Sequence, residues 1–119
     1  MKEIKFRAKI KGDAGIYIVW GIDWLNNKAL VERACGNELV PFKKIKEFLQ
    51  FTGLQDRQGK EIFEGDIVKH PVCEIGKVIY FLPYAAYMVE SRELLYDINL
   101  NNEMEVIGNI YENPKLLKP

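Results

Sequence analysis

Apolar and charged residues alternate most cleanly at the N-terminus. In EIKFRAKIK (3–11), Ile4, Phe6, Ala8 and Ile10 fall on one side of an extended chain, and Lys5, Arg7, Lys9 and Lys11 fall on the other, with Glu3 beside them. A period of two predicts a strand with one buried face. GDAG (12–15) reads as a turn, and the β-branched and aromatic run IYIVWGI (16–22) as a second strand. NNK (26–28) turns the chain into ALVERA, and CGNE turns it again, so the first part reads as a short meander.

PFKKIKEFLQFTGL is ambiguous, because Phe42, Ile45, Phe48 and Leu49 match helical spacing while FLQFT also reads as strand. An extended Glu47–Thr52 with a partly helical lead-in after Pro41 is preferred. Beyond it, DRQG (56–59) has the residues of a type I turn, Asp first and Gly last. IVKH, GKVIYFL, AAYMVE and EVIGNIYE are strand candidates, RELLYDI is either a strand or one helical turn, and NPKLL is a terminal turn. Short strands at this spacing point to a mainly β fold containing a small barrel, with one or two short helical turns. A lobe boundary is expected near residues 41–50, dividing a 1–45 β meander from a 46–119 barrel part, the whole folding as one compact unit.

Composition narrows the function classes. The 119 residues carry 17 basic and 17 acidic side chains, so no global field draws the chain to nucleic acid or to an anionic membrane. An apolar content of 48% suffices for a core. No apolar run approaches the ~20 residues of a membrane span, and the start MKEIKFRAKIKG has no apolar signal region. A cytoplasmic protein with no membrane partner is the expectation. Cys35 and Cys73 then read as free thiols.

The stretch QFTGLQDRQGKEIFEGDIV (50–68) resembles the signature of the YopX family, small proteins encoded by phages and prophages of Gram-positive bacteria. That signature runs Q-[FY]-T-G-L-x-D-x-x-G-x-x-I-[FY]-E-G-D-I-V. Gln50, Phe51, Thr52, Gly53, Leu54, Asp56, Gly59, Ile62, Phe63, Glu64, Gly65, Asp66, Ile67 and Val68 fill its places. IKFRA (4–8) and EVIGNIYENPKLL (105–117) resemble the family's opening and closing segments. The chain departs from the family after FRA, where Lys9 and Ile10 replace an aromatic and an acid. The resemblance implies a β-rich fold whose C-terminal part is an SH3-like barrel. It implies no reaction, no catalytic residues and no cofactor, and fold alone would supply none.

Residues 51–70 hold the only Thr, the only His, three glycines and four carboxylates. Backbone roles account for most of them. Gly59 and Gly65 permit positive φ, Asp56 can accept N–H bonds in its turn, and Asp66 can cap the N–H groups before the strand IVKH. The rival reading puts a divalent metal on Asp56, Glu61, Glu64 and Asp66 for hydrolysis. Their spacing follows no known ligand loop, so the scaffold reading ranks above it. His70 is expected at a half-exposed strand end, with Ser91 (the only Ser) and Cys73 as weak catalytic companions. Of the aromatics around Pro83, Tyr80 and Tyr87 are assigned to the core, and Tyr84 at the turn is the candidate partner contact. Lys5, Arg7, Lys9 and Lys11, about 7 Å apart along one strand face, are the candidate nucleic-acid contact. The leading expectation is a non-enzymatic module that binds a protein or a second copy of itself. A weak nucleic-acid binder comes second and a metal-dependent hydrolase last.

Overall fold

The computed structural model describes residues 4–98 and 103–117. Its regular structure is almost entirely strand. In chain order these are β1 (Phe6–Ile10), β2 (Ile16–Asp23), β3 (Lys28–Arg33), β4 (Gly36–Pro41), β5 (Ile45–Gln55), β6 (Glu61–Phe63), β7 (Asp66–His70), β8 (Glu74–Phe81), β9 (Ala86–Ser91), β10 (Leu94–Asp97) and β11 (Glu105–Asn109). Three short 3₁₀ turns, Phe42–Lys44, Leu82–Tyr84 and Pro114–Leu117, are the helical content. The fold is mainly β, as the alternation predicts.

The chain divides into two compact units, one ending at Gln50 and one beginning at Phe51. The division falls inside an unbroken strand, β5, a few residues beyond the expected boundary at 45. In the N-terminal unit β1 is central, antiparallel to β2 on one side and to the first half of β5 on the other. β3 pairs with β2 and β4 with β3. Ala8, Ile10, Ala29, Val31, Val40 and Ile45 form its core, with Tyr17, Val19, Phe42 and Phe48 packed against them. Ile4 departs from the predicted buried face. It precedes β1 and is 74% exposed, because the ladder that would bury it begins only at Phe6. Glu3 lies outside the described residues. CGNE is also more than a turn: Ala34 and Cys35 make the reversal, and Gly36 already opens β4.

In the C-terminal unit the second half of β5 pairs with β6, Phe51 opposite Phe63 and Gln55 opposite Glu61. β7 to β11 form an antiparallel sheet in the order β10-β9-β8-β7-β11. Its core is Ile62, Val68, Val78, Val89, Ile98 and Met104. A hydrogen bond between the His70 ring on β7 and the Asp97 carbonyl on β10 spans 2.8 Å. Those strands stand three places apart, about 14 Å in a flat sheet, so the sheet curls strongly. The unit is thus compatible with a small barrel.

Candidate functional site

The signature segment is built around two buried carboxylates. Asp56 is 4% exposed. Its Oδ1 accepts the N–H groups of Gln58 and Lys60, both at 2.9 Å, and its Oδ2 accepts Val106 N–H at 2.9 Å. The Gly59 N–H closes the DRQG turn on the Asp56 carbonyl at 3.0 Å, with Gly59 at φ +84°. One side chain therefore organises its own turn and also fastens it to β11, 50 residues away. Arg57 adds a backbone bond to Met104 and an ion pair of 2.9 Å with Glu105. Burial works to raise the Asp56 pKa, but the N–H groups of Val106, Lys60 and Gln58 outweigh it and hold the carboxyl below its usual value.

Asp66 is 3% exposed, and its Oδ2 accepts Phe63 N–H at 2.8 Å across the turn that Gly65 makes at φ +83°. The Gly65 N–H donates to Val78, and its carbonyl accepts Ile110 N–H. Thr52, 8% exposed, donates its hydroxyl to the Ile62 carbonyl at 2.8 Å and accepts Leu54 N–H at 3.2 Å, next to Gly53 at φ +88°. Ile62 is fully buried, Leu54 packs against the same core, and Glu64 is half-buried. The signature thus holds β5, β6, β7 and β11 together. Among the described residues, no group of three or more His, Cys, Asp or Glu is placed to hold a metal. Asp56 and Asp66 direct oxygens to backbone N–H groups instead.

His70 is buried, at 5% exposure, rather than half-exposed as the sequence suggests. Its Nδ1 accepts Val72 N–H at 3.1 Å and lies 3.4 Å from Cys73 N, so Nε2 carries the proton that it donates to Asp97. Both ring nitrogens are engaged by backbone. Ser91 Oγ donates to the Ile75 carbonyl at 2.8 Å, so Ser91 and His70 form no nucleophile–base pair. Burial pushes the Cys73 thiol up, away from thiolate character. A cleft of about 430 Å³ beside these residues is lined by Cys73, Ser91, Lys77, Arg92 and Leu116, among others, and is crossed by a Lys77–Glu90 ion pair of 3.2 Å.

The basic ladder is shorter than predicted. Only Arg7 and Lys9 lie within β1; Lys5 precedes it and Lys11 enters the following turn. Lys5, Arg7 and Lys9 already interact within the chain. Tyr80 and Tyr87 meet edge to face at 5.1 Å. Tyr87 packs against the core, but Tyr80 is 43% exposed, since the Tyr80–Tyr87 rung lies two rungs past the buried Val78–Val89 rung, toward the end of β8. Tyr84, 69% exposed, contacts Phe81 at 5.0 Å in the turn after β8.

A set of residues on the second face of the N-terminal sheet carries no mark in the sequence. Leu30 and Leu39 are direct cross-strand partners, each next to a core residue and so facing away from the core. Ile18, between the core-packed Tyr17 and Val19, shares the face of Leu30 and Leu39 by the same alternation, and Trp20, at the register shift after Val19, joins it through its bond to Glu32. Ile18 is 45%, Trp20 60% and Leu39 59% exposed. The Trp20 indole donates to Glu32 Oε1 at 3.1 Å, which fixes its ring.

None of the curated proteins matches the chain. The crystal structure of protein EF1440 from Enterococcus faecalis is similar over 99% of this chain and 100% of that one, with a TM-score of 0.65 and 24% identity, which shows a shared fold. The family described as YopX protein matches residues 5–118, which include both buried aspartates, the positive-φ glycines Gly53, Gly59 and Gly65, and β11, to which Asp56 ties its turn. On a match of that extent, the chain belongs to the YopX family.

Proposed function

We propose that this protein is a non-enzymatic interaction module, a phage- or prophage-encoded accessory protein of the host cytoplasm. Its C-terminal unit is read as an SH3-like barrel that the signature holds closed. Its contact surface is the second face of the N-terminal sheet. The observation that carries the reading is the exposure of Ile18, Trp20 and Leu39 together on that face, around half-buried Leu30. Large apolar side chains scattered singly need no explanation, but a contiguous set with a hydrogen-bonded tryptophan has the make-up of a protein-contact hot spot. Tyr84 is a second, smaller contact on the C-terminal unit.

Capture from induced host cells, with nuclease present and at high salt, tests the proposal. The wild-type chain is expected to retain a protein, or a second copy of itself by sedimentation, that Trp20→Ala/Leu39→Ser loses at unchanged melting temperature. Equal retention by the variant would refute the assignment of this face. Retention lost on nuclease treatment would place the protein in the nucleic-acid class instead.

A further inference from the structure

The β2–β3 turn carries a different surface. Asp23 Oδ1 accepts Asn26 N–H at 3.1 Å, and Asp23 Oδ2 accepts Asn26 Nδ2 at 2.8 Å. Asn27 takes φ +54°, and its carbonyl accepts Phe42 N–H at 2.8 Å. These bonds fix the tip and tie it to the Phe42–Lys44 turn. At the tip Trp24 is 69% and Leu25 90% exposed. Trp24 meets Phe42 edge-on, with centroids 5.5 Å apart and planes at 74°. An indole so held keeps most of its surface open at little ordering cost.

Four lysines on three segments adjoin this tip through the backbone. Lys43 and Lys44 follow Phe42 directly, Lys11 N–H donates to the Lys44 carbonyl at 2.8 Å, and Lys28 stands opposite Pro41. All four are exposed, and none is ion-paired among the described residues. The acids nearby are Asp23, whose oxygens serve the turn, and Asp13, which is ion-paired to Arg33 at 3.1 Å. Four cations outside any ion pair, against an Asp23 carboxylate that serves its turn and acts on Lys28, leave a local positive field in a chain of zero net charge.

We propose that this tip is a single-stranded nucleic-acid site: a base stacks on Trp24 against Leu25, and Lys11, Lys28, Lys43 and Lys44 contact the flanking phosphates. An open aromatic ring among cations is what sequence-tolerant single-strand binding uses. The site keeps Lys11 of the strand-one ladder, whose other members, Lys5, Arg7 and Lys9, are already engaged, and it is independent of the protein-contact face.

The test is fluorescence anisotropy of a labelled 20-nucleotide oligo(dT) with the full chain from 20 to 200 mM salt. With three to four phosphate contacts, affinity should fall ~20- to 50-fold between 50 and 200 mM. Lys43→Gln/Lys44→Gln, both exposed, should reduce the log–log salt slope by ~1.4. Trp24→Ala should weaken binding ~5-fold or more at every salt without changing the slope, and Trp24→Phe should recover most of the loss. Lys5→Gln/Arg7→Gln should leave the slope alone. If Trp24→Ala melts early, the lysine pair decides. No binding at 20 mM salt, a slope indifferent to Lys43 and Lys44, or displacement of the oligonucleotide by phosphatidylglycerol vesicles at equal phosphate would overturn the proposal.

Discussion

Replacing Asp56 with alanine is the sharpest perturbation of the signature. It removes the acceptor for three N–H groups at once. Gln58 and Lys60 are exposed, so water can re-satisfy their N–H groups, and each loss should cost about 0.5–1 kcal/mol. Val106 is half-buried and packs against the core, so its orphaned N–H should cost roughly 1–2 kcal/mol more. The sum is about 3 kcal/mol. For a cooperative unit of this size that lowers the melting temperature by about 10 °C or more. Asp56→Asn should lose roughly half as much, because one amide oxygen can still serve the turn while the Nδ2 group meets Val106 N–H donor to donor. Wild type also differs from both variants in acid. The folded Asp56 carboxyl titrates below its unfolded value of 3.8. Its contribution is therefore complete above pH 3.8 and is lost as pH falls through the depressed folded value. Wild type should show that acid limb and Asp56→Asn should lack it. Thermal melts by circular dichroism at pH 7 and between pH 2 and 5 check both points. A fall of less than about 3 °C for Asp56→Ala would refute the reasoning.

Gly76→Ala should destabilise by about 2 kcal/mol or more, because its Cβ would stand 2.5 Å from Val89 Cγ1 and 2.9 Å from the Glu90 carbonyl oxygen; an unchanged denaturant midpoint would contradict this. Gly65→Ala should cost about 1 kcal/mol or more for its positive φ, read by the same midpoint. Arg92 and Glu93 form the two-residue β9–β10 turn at φ +52° and +66°, so Arg92→Asn/Glu93→Gly should stabilise by about 1 kcal/mol, seen as a higher midpoint. Burial, with Glu64 and Tyr80 adding, pushes the Tyr87 hydroxyl up to about 12 from 10.0. Its share of stability is thus complete below pH 10 and lost as pH rises through about 12, and ultraviolet titration should show late tyrosine ionisation that Tyr87→Phe reduces, Tyr17 being raised as well by its bond to Asp13.

The strands were legible where the alternation is strict or the run is β-branched, as in β1, β2 and β8. β4 was partly hidden because Gly36, Asn37 and Glu38 read as turn; they extend only because β3 supplies the ladder. The β9–β10 reversal was hidden because its positive-φ positions hold Arg92 and Glu93, without the Gly or Asn that marks such turns. Hence RELLYDI read equally as a strand or a helical turn. The local duties of Asp56, Gly59, Gly65 and Asp66 could be foreseen from turn chemistry. The reach of Asp56 to Val106 and of His70 to Asp97 could not, since nothing in the residues near either one names a partner 50 or 27 positions away. The exposure of Trp20 and Leu39 was equally invisible, because a strand rich in apolar residues on both faces does not say which face is covered.

Asp56 and Asp66 serve the backbone, each accepting main-chain N–H groups. Manganese added to ¹⁵N-labelled protein tests this most directly, since the paramagnetic ion broadens amides near any site it occupies. The account predicts no selective broadening of Gln58, Lys60, Phe63 or Val106 at micromolar to millimolar Mn²⁺. Selective broadening of those amides at micromolar Mn²⁺, abolished by Asp66→Ala, would contradict it.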